Sequence, residues 1–131
     1  VAAVDTNVLV RLLVADDDRQ LAVARKALRE HGPVFVTQVA LIETVWVLAH
    51  TYGVDRHDLA EVIERLLLGA EFSLQGEQDV SKALAAFRQS RADFADCLLV
   101  ENARSAGRLP VLTFDKALGR TDGAKLLAGS H

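Results

Sequence analysis

Cysteine occurs once in this sequence and methionine not at all. A single thiol, Cys97, excludes a disulfide framework and fits a chain working in a reducing cytoplasm. It sits in an apolar helical pattern with no base beside it, which speaks against a nucleophile. Long hydrophobic runs are missing as well. Glu43 or an arginine interrupts every candidate before the roughly 18 residues of a membrane span, so no membrane partner is expected. No secretory leader pattern opens the chain, and without methionine Val1 is not taken as the start of translation. Positive charge is in deficit, with 15 Lys and Arg against 18 Asp and Glu. That argues against a protein gripping nucleic acid on a broad basic face, though not against one that recruits metal cations to neutralise phosphate. The four histidines, His31, His50, His57 and His131, are scattered without zinc-site spacing and read as surface or helix-end residues. Repeats, low-complexity stretches and linkers are absent, so the 131 residues read as one domain, 1–131.

What is present is an apolar chain, half of it hydrophobic. Its mean hydropathy of +0.17 leans toward a buried subunit interface. The organising stretch is the opening, where Val1–Val4 reads as a buried strand. The chain then turns at Asp5-Thr6-Asn7 into a second apolar run, Val8–Val14, interrupted only by Arg11. Ligands in open α/β sheets bind at the carboxyl ends of strands, which makes Asp5 a functional candidate. Capping of the following helix by Asp5, Thr6 or Asn7 is the structural alternative, and this stretch alone leaves both open.

Further along, helices are expected from about Arg19 to His31, over Gln38–Tyr52, from Asp55 to about Leu68, from Asp79 to about Ser90, and from Asp93 to about Ala106. Strands are expected at Val34–Thr37, Glu71–Leu74 and Leu109–Phe114, while Ala124–Leu127 fits an edge strand or a helical turn. Asp16-Asp17-Asp18 reads as a solvated helix start. In the second helix Val39, Ile42, Trp46 and Ala49 recur at helical spacing as a buried stripe. Glu43 beside that stripe has no intrahelical cation, so it needs a partner from elsewhere, a metal ion among the candidates. Asp93 suits an N-cap and Asp96 a third helical position, where an acid favours the helix dipole. Leu109–Phe114 repeats the opening: an apolar run delivered into Asp115.

Alternating strands and helices predict a three-layer α/β/α sandwich around a parallel sheet. Right-handed crossovers would bring Asp5, Glu43, Asp96 and Asp115 to one rim. Four carboxylates there repel one another, and oxygen-only donors point to Mg²⁺ or Mn²⁺.

V-D-T-N-V-L at the start, L-I-E-T around Glu43, D-F-A-D-C-L-L around Asp96 and T-F-D at Asp115 together resemble the PIN-domain ribonucleases, in particular VapC-like toxins of bacterial type II toxin–antitoxin pairs. The resemblance spans nearly the whole chain. It implies a five-stranded parallel sheet with Asp5 beside Asp115, Mg²⁺- or Mn²⁺-dependent endonucleolytic cleavage of RNA, a homodimer and a cognate antitoxin. It makes Asp5, Glu43, Asp96 and Asp115 the catalytic and metal-binding acids, with Asn7 and Thr113 as supporting residues. Asp93 is a cap first and an outer helper second. Arg11, Arg88, Arg91 and Lys116 are candidate RNA contacts. Cys97 stands where a small residue such as alanine is commoner, with no catalytic consequence expected. Two other classes compete. A haloacid-dehalogenase-like phosphohydrolase wants a second Asp two residues after the first, where this chain has Asn7. A catalytically silent PIN-like binding module would be expected to lose an acid, and none is lost.

Overall fold

The computed structural model describes residues 2–128; Val1 and His131 lie outside them. The chain forms two compact units divided after Glu77.

In the first unit, each helix starts where a small polar side chain takes over an orphan amide. Asp5 Oδ1 accepts from Val8 N–H at 2.9 Å to open α1 (Thr6–Leu13), and Asp17 accepts from Gln20 N–H at 3.0 Å to open α2 (Asp18–His31). Between them the guanidinium of Arg11 binds the carboxylate of Asp16 and, at 3.0 Å, the phenol of Tyr52, which itself donates to Asp16 at 2.9 Å. This closed polar ring ties the end of α1 to the chain beyond α3 (Gln38–His50). Thr37 caps α3 through Ala40 N–H, and Asp55 caps α4 (Arg56–Leu68) through Asp58 N–H.

Strands β1 (Val34–Val36) and β2 (Phe72–Leu74) pair in parallel, Val34 opposite Phe72 and Val36 opposite Leu74. The opening run lies along the other side of β1, also parallel. Val4 N–H donates to Phe35 O at 3.1 Å, and Phe35 N–H donates to Ala2 O at 2.8 Å. Leu9, Val34, Val36, Leu41, Leu48, Ile63 and Leu66 are buried here.

The expected buried stripe of α3 is overturned. Ala40, Leu41, Thr44, Val45 and Leu48 face inward, whereas Val39 and Trp46 are 66% and 58% exposed and Glu43 faces solvent. Apolar residues lie on every side of this helix, with Gln38, Glu43, Thr44 and His50 its polar positions, so its hydrophobic pattern selects no face, and packing against α1 made the choice. Glu43 therefore carries no burial penalty to be offset.

In the second unit, α5 (Glu77–Gln89) begins two residues before the expected cap. Asp79 lies inside its first turn and accepts from Ser105 Oγ at 2.6 Å, a link to α6 (Phe94–Ser105). Phe87 and Phe94 meet edge to face with centroids 5.9 Å apart, and Val80, Leu84 and Leu98 are buried in the same unit. Strand β3 (Val111–Thr113) leads into the short helix α7 (Lys116–Gly119), capped by Asp115 through Leu118 N–H at 3.0 Å. Residues Ala124–Leu126 resolve the open expectation as a strand, β4, parallel to β3. Gly123 makes the approach to β4 at φ +94°, where a Cβ would stand 2.9 Å from Val100 Cγ1. The α/β class expected from the sequence is thus what the structure has, with parallel pairings in both units.

Candidate active site: two sets of carboxylates

In the first unit, Asp5 follows the opening run and Glu43 lies in the second turn of α3. Together with Thr6, Thr37, Val39 and Ala40 they line an open cleft of about 410 Å³. Asp5 spends one carboxylate oxygen on the α1 cap, leaving Oδ2 uncommitted among the described residues, so capping and ligation are compatible rather than rival roles. Asn7 is exposed in the first turn of α1. Thr37 was missed as a cleft residue, although it ends the V-F-V-T run much as Asp5 ends the opening one. Next to Glu43, Thr44 Oγ1 is buried without a hydrogen-bond partner among the described residues.

In the second unit, Asp93 stands at the N-cap position of α6, Asp96 in its first turn and Asp115 at the start of α7. Asp93 makes no capping hydrogen bond, contrary to its expected first role, so its carboxylate is not consumed by the helix. Partial burial pushes the Asp96 carboxyl above its ordinary value, and the negative charges of Asp93 and Asp115 push it the same way. The three acids therefore feel one another. Thr113 Oγ1 accepts from Asp115 N–H at 2.9 Å.

Among the described residues, none of Asp5, Glu43, Asp93, Asp96 and Asp115 is paired with a lysine or arginine. Excess negative charge with oxygen donors only is the chemistry that suits a hard divalent cation. No three His, Cys, Asp or Glu among the described residues are yet grouped closely enough to hold one. Of the expected RNA contacts, Arg11 is taken up by Asp16 and Tyr52. Arg88 is exposed in the last turn of α5, Arg91 is exposed between α5 and α6, and Lys116 is exposed at the start of α7. A separate cavity of about 330 Å³ in this unit is lined by Cys97, Glu101, Arg104, Arg120 and Asp122 and by none of the expected acids.

An α/β chain whose apolar runs end in acids at these positions has the pattern of a known family, and the PIN domain family model matches residues 2–124. The chain belongs to the PIN domain family. A VapC ribonuclease of Aquifex aeolicus (strain VF5) is 27% identical over 115 residues, covering 86% of this chain and 85% of that protein.

Proposed function

We propose that this protein is a metal-dependent endoribonuclease of the VapC type, the toxin of a type II toxin–antitoxin pair. The observation that carries the reading is the set of acids without counter-cations, in which Asp93 and Asp115 help hold the Asp96 carboxyl above its ordinary value. In this reading Asp5, Glu43, Asp96 and Asp115 serve one reaction, and Mg²⁺ or Mn²⁺ is the cofactor they hold. The family's single five-stranded central sheet is part of the same proposal, as are one domain over the chain, a homodimer, a cognate antitoxin and a cytoplasmic setting.

A divalent cation supplies charge neutralisation at the phosphate and acidifies water at the site. The chain's own residues do the rest. Asp96 and Asp5 offer direct oxygen donors, and Glu43 and Asp115 orient water. Thr113 fixes the backbone that presents Asp115, and Asn7 lends a polar side chain beside Asp5. Arg91 and Lys116, with Arg88, attract the phosphate backbone, while Arg11 is held by Asp16 and Tyr52. Purified protein incubated with mixed single-stranded RNA is expected to cut it with Mg²⁺ or Mn²⁺ and to stop on chelation.

A silent PIN-like binding module is the second reading, favoured by the absence of a three-ligand group among the described residues. It predicts RNA or protein binding with no chelator-sensitive cleavage. Para-nitrophenyl phosphate, left unhydrolysed, disposes of the phosphohydrolase reading.

A further inference from the structure

We propose that Trp46, braced by His50, is a stacking platform for an unpaired nucleobase of the RNA; this rests on the nuclease reading above and adds a base-binding surface to it. Trp46 is the chain's single tryptophan, and 58% of it is exposed. An indole left in water forgoes one of the largest burial contributions any side chain can make, so its exposure calls for an occupant. It is also not a loosely held ring. The His50 imidazole stacks on it with centroids 4.4 Å apart and planes 18° from parallel. His50 is itself anchored, its Nδ1 lying 2.9 Å from Trp46 O. The indole is thus oriented before any ligand arrives, which lowers the ordering cost of binding.

Its position on α3 ties it to the acids. Trp46 lies three residues after Glu43, about 4.5 Å further along the helix axis and on the neighbouring turn. Val39, one turn before Glu43, is 66% exposed and lines the cleft that holds Asp5 and Glu43. Val39, Glu43, Trp46 and His50 therefore form one solvent-facing stripe. A phosphate held near Glu43 brings a base attached beside it over the indole.

The chemistry of the stripe favours RNA over a second copy of the chain. A second copy seated on the stripe would bury the Glu43 carboxylate, which has no lysine or arginine partner among the described residues, whereas RNA leaves it beside water. A base, by contrast, has a π face whatever its identity, so stacking is tolerant of sequence but selective for strands whose bases are free.

The test uses the inactive Asp96→Asn variant with Mg²⁺, titrated with a short single-stranded RNA of mixed sequence and with the same sequence as a duplex. Tryptophan emission arises from Trp46 alone, and saturable quenching by the single strand but not the duplex is expected. In otherwise native protein, Trp46→Ala is expected to raise KM about tenfold with little change in kcat, and Trp46→Phe to recover most of the loss. Absent quenching, with chelator-sensitive cleavage by the native protein intact, overturns the platform and leaves the nuclease reading standing. Quenching by single strand in a native protein that never cleaves RNA supports the platform and overturns the nuclease reading. A Trp46→Ala protein that falls from dimer to monomer in sedimentation, with KM unchanged, gives the stripe to a second copy and also overturns the platform.

Discussion

Asp5 and Asp115 do the same structural work in the two units, each ending an apolar run and each accepting an amide of the helix it opens. Their acidic companions differ. Glu43 is exposed in an open cleft, whereas Asp96 is partly buried, feels the charges of Asp93 and Asp115, and is pushed toward the protonated form. One carboxylate is open to solvent on the second turn of its helix, and the other is strained in the first turn of its own. Burial is the difference: repulsion between carboxylates counts only where solvent no longer screens it.

The sharpest way to break that comparison is Asp96→Asn, which is expected to lower RNA cleavage by at least about 10³-fold, measured with purified, contaminant-free variant. Retention of native rates would remove Asp96 from the chemistry. Next in size is the response to metal. A saturating divalent cation, at 100 times its Kd, is expected to stabilise the native protein by about 2.7 kcal/mol in a thermal melt, and Asp96→Asn to lose most of that gain. A shift that survives in the variant places the ion elsewhere.

Asp5 allows its two roles to be separated. Asp5→Ala is expected to cost about 1 kcal/mol of stability through the lost cap, while Asp5→Asn keeps the cap and the stability. Both are expected to abolish cleavage, so an active Asp5→Asn protein would reduce this residue to a cap.

The smallest effect is the pH dependence of metal-free protein. A carboxyl raised in the folded state binds its proton there first, so its ionised form costs stability above the folded pKa. The cost fades as pH falls through that value toward the ordinary 3.8. Relative to Asp96→Asn, the native protein is therefore expected to be less stable near neutral pH and to close the gap on acidification, followed by thermal melts across that range. A gap that stays constant would mean that no such strain exists.

Much of this was legible along the chain because it is local. Asp5 and Asp55 cap helices because a short acceptor beside an apolar run reaches only the next two or three amides, whereas the cap that Asp115 makes to the four-residue α7 left no such pattern to read. Glu43 was misjudged because α3 is apolar on all sides, and a period without contrast cannot say which side is buried. Asp79 was taken for a cap, since nothing in its neighbours announced Ser105 as a partner 26 residues away. Arg11 looked free for substrate for the same reason, its partner Tyr52 lying 41 residues on.

By itself the sequence determined the α/β class of the fold and the acids that open α1 and α4, set by interactions spanning a few residues. Only the tertiary structure decided that Glu43 and Trp46 face water, that Asp93 leaves its cap unmade and that Asp96 is crowded by Asp93 and Asp115. Those outcomes depend on which surfaces meet, and burial and like-charge proximity come into being only when distant segments pack.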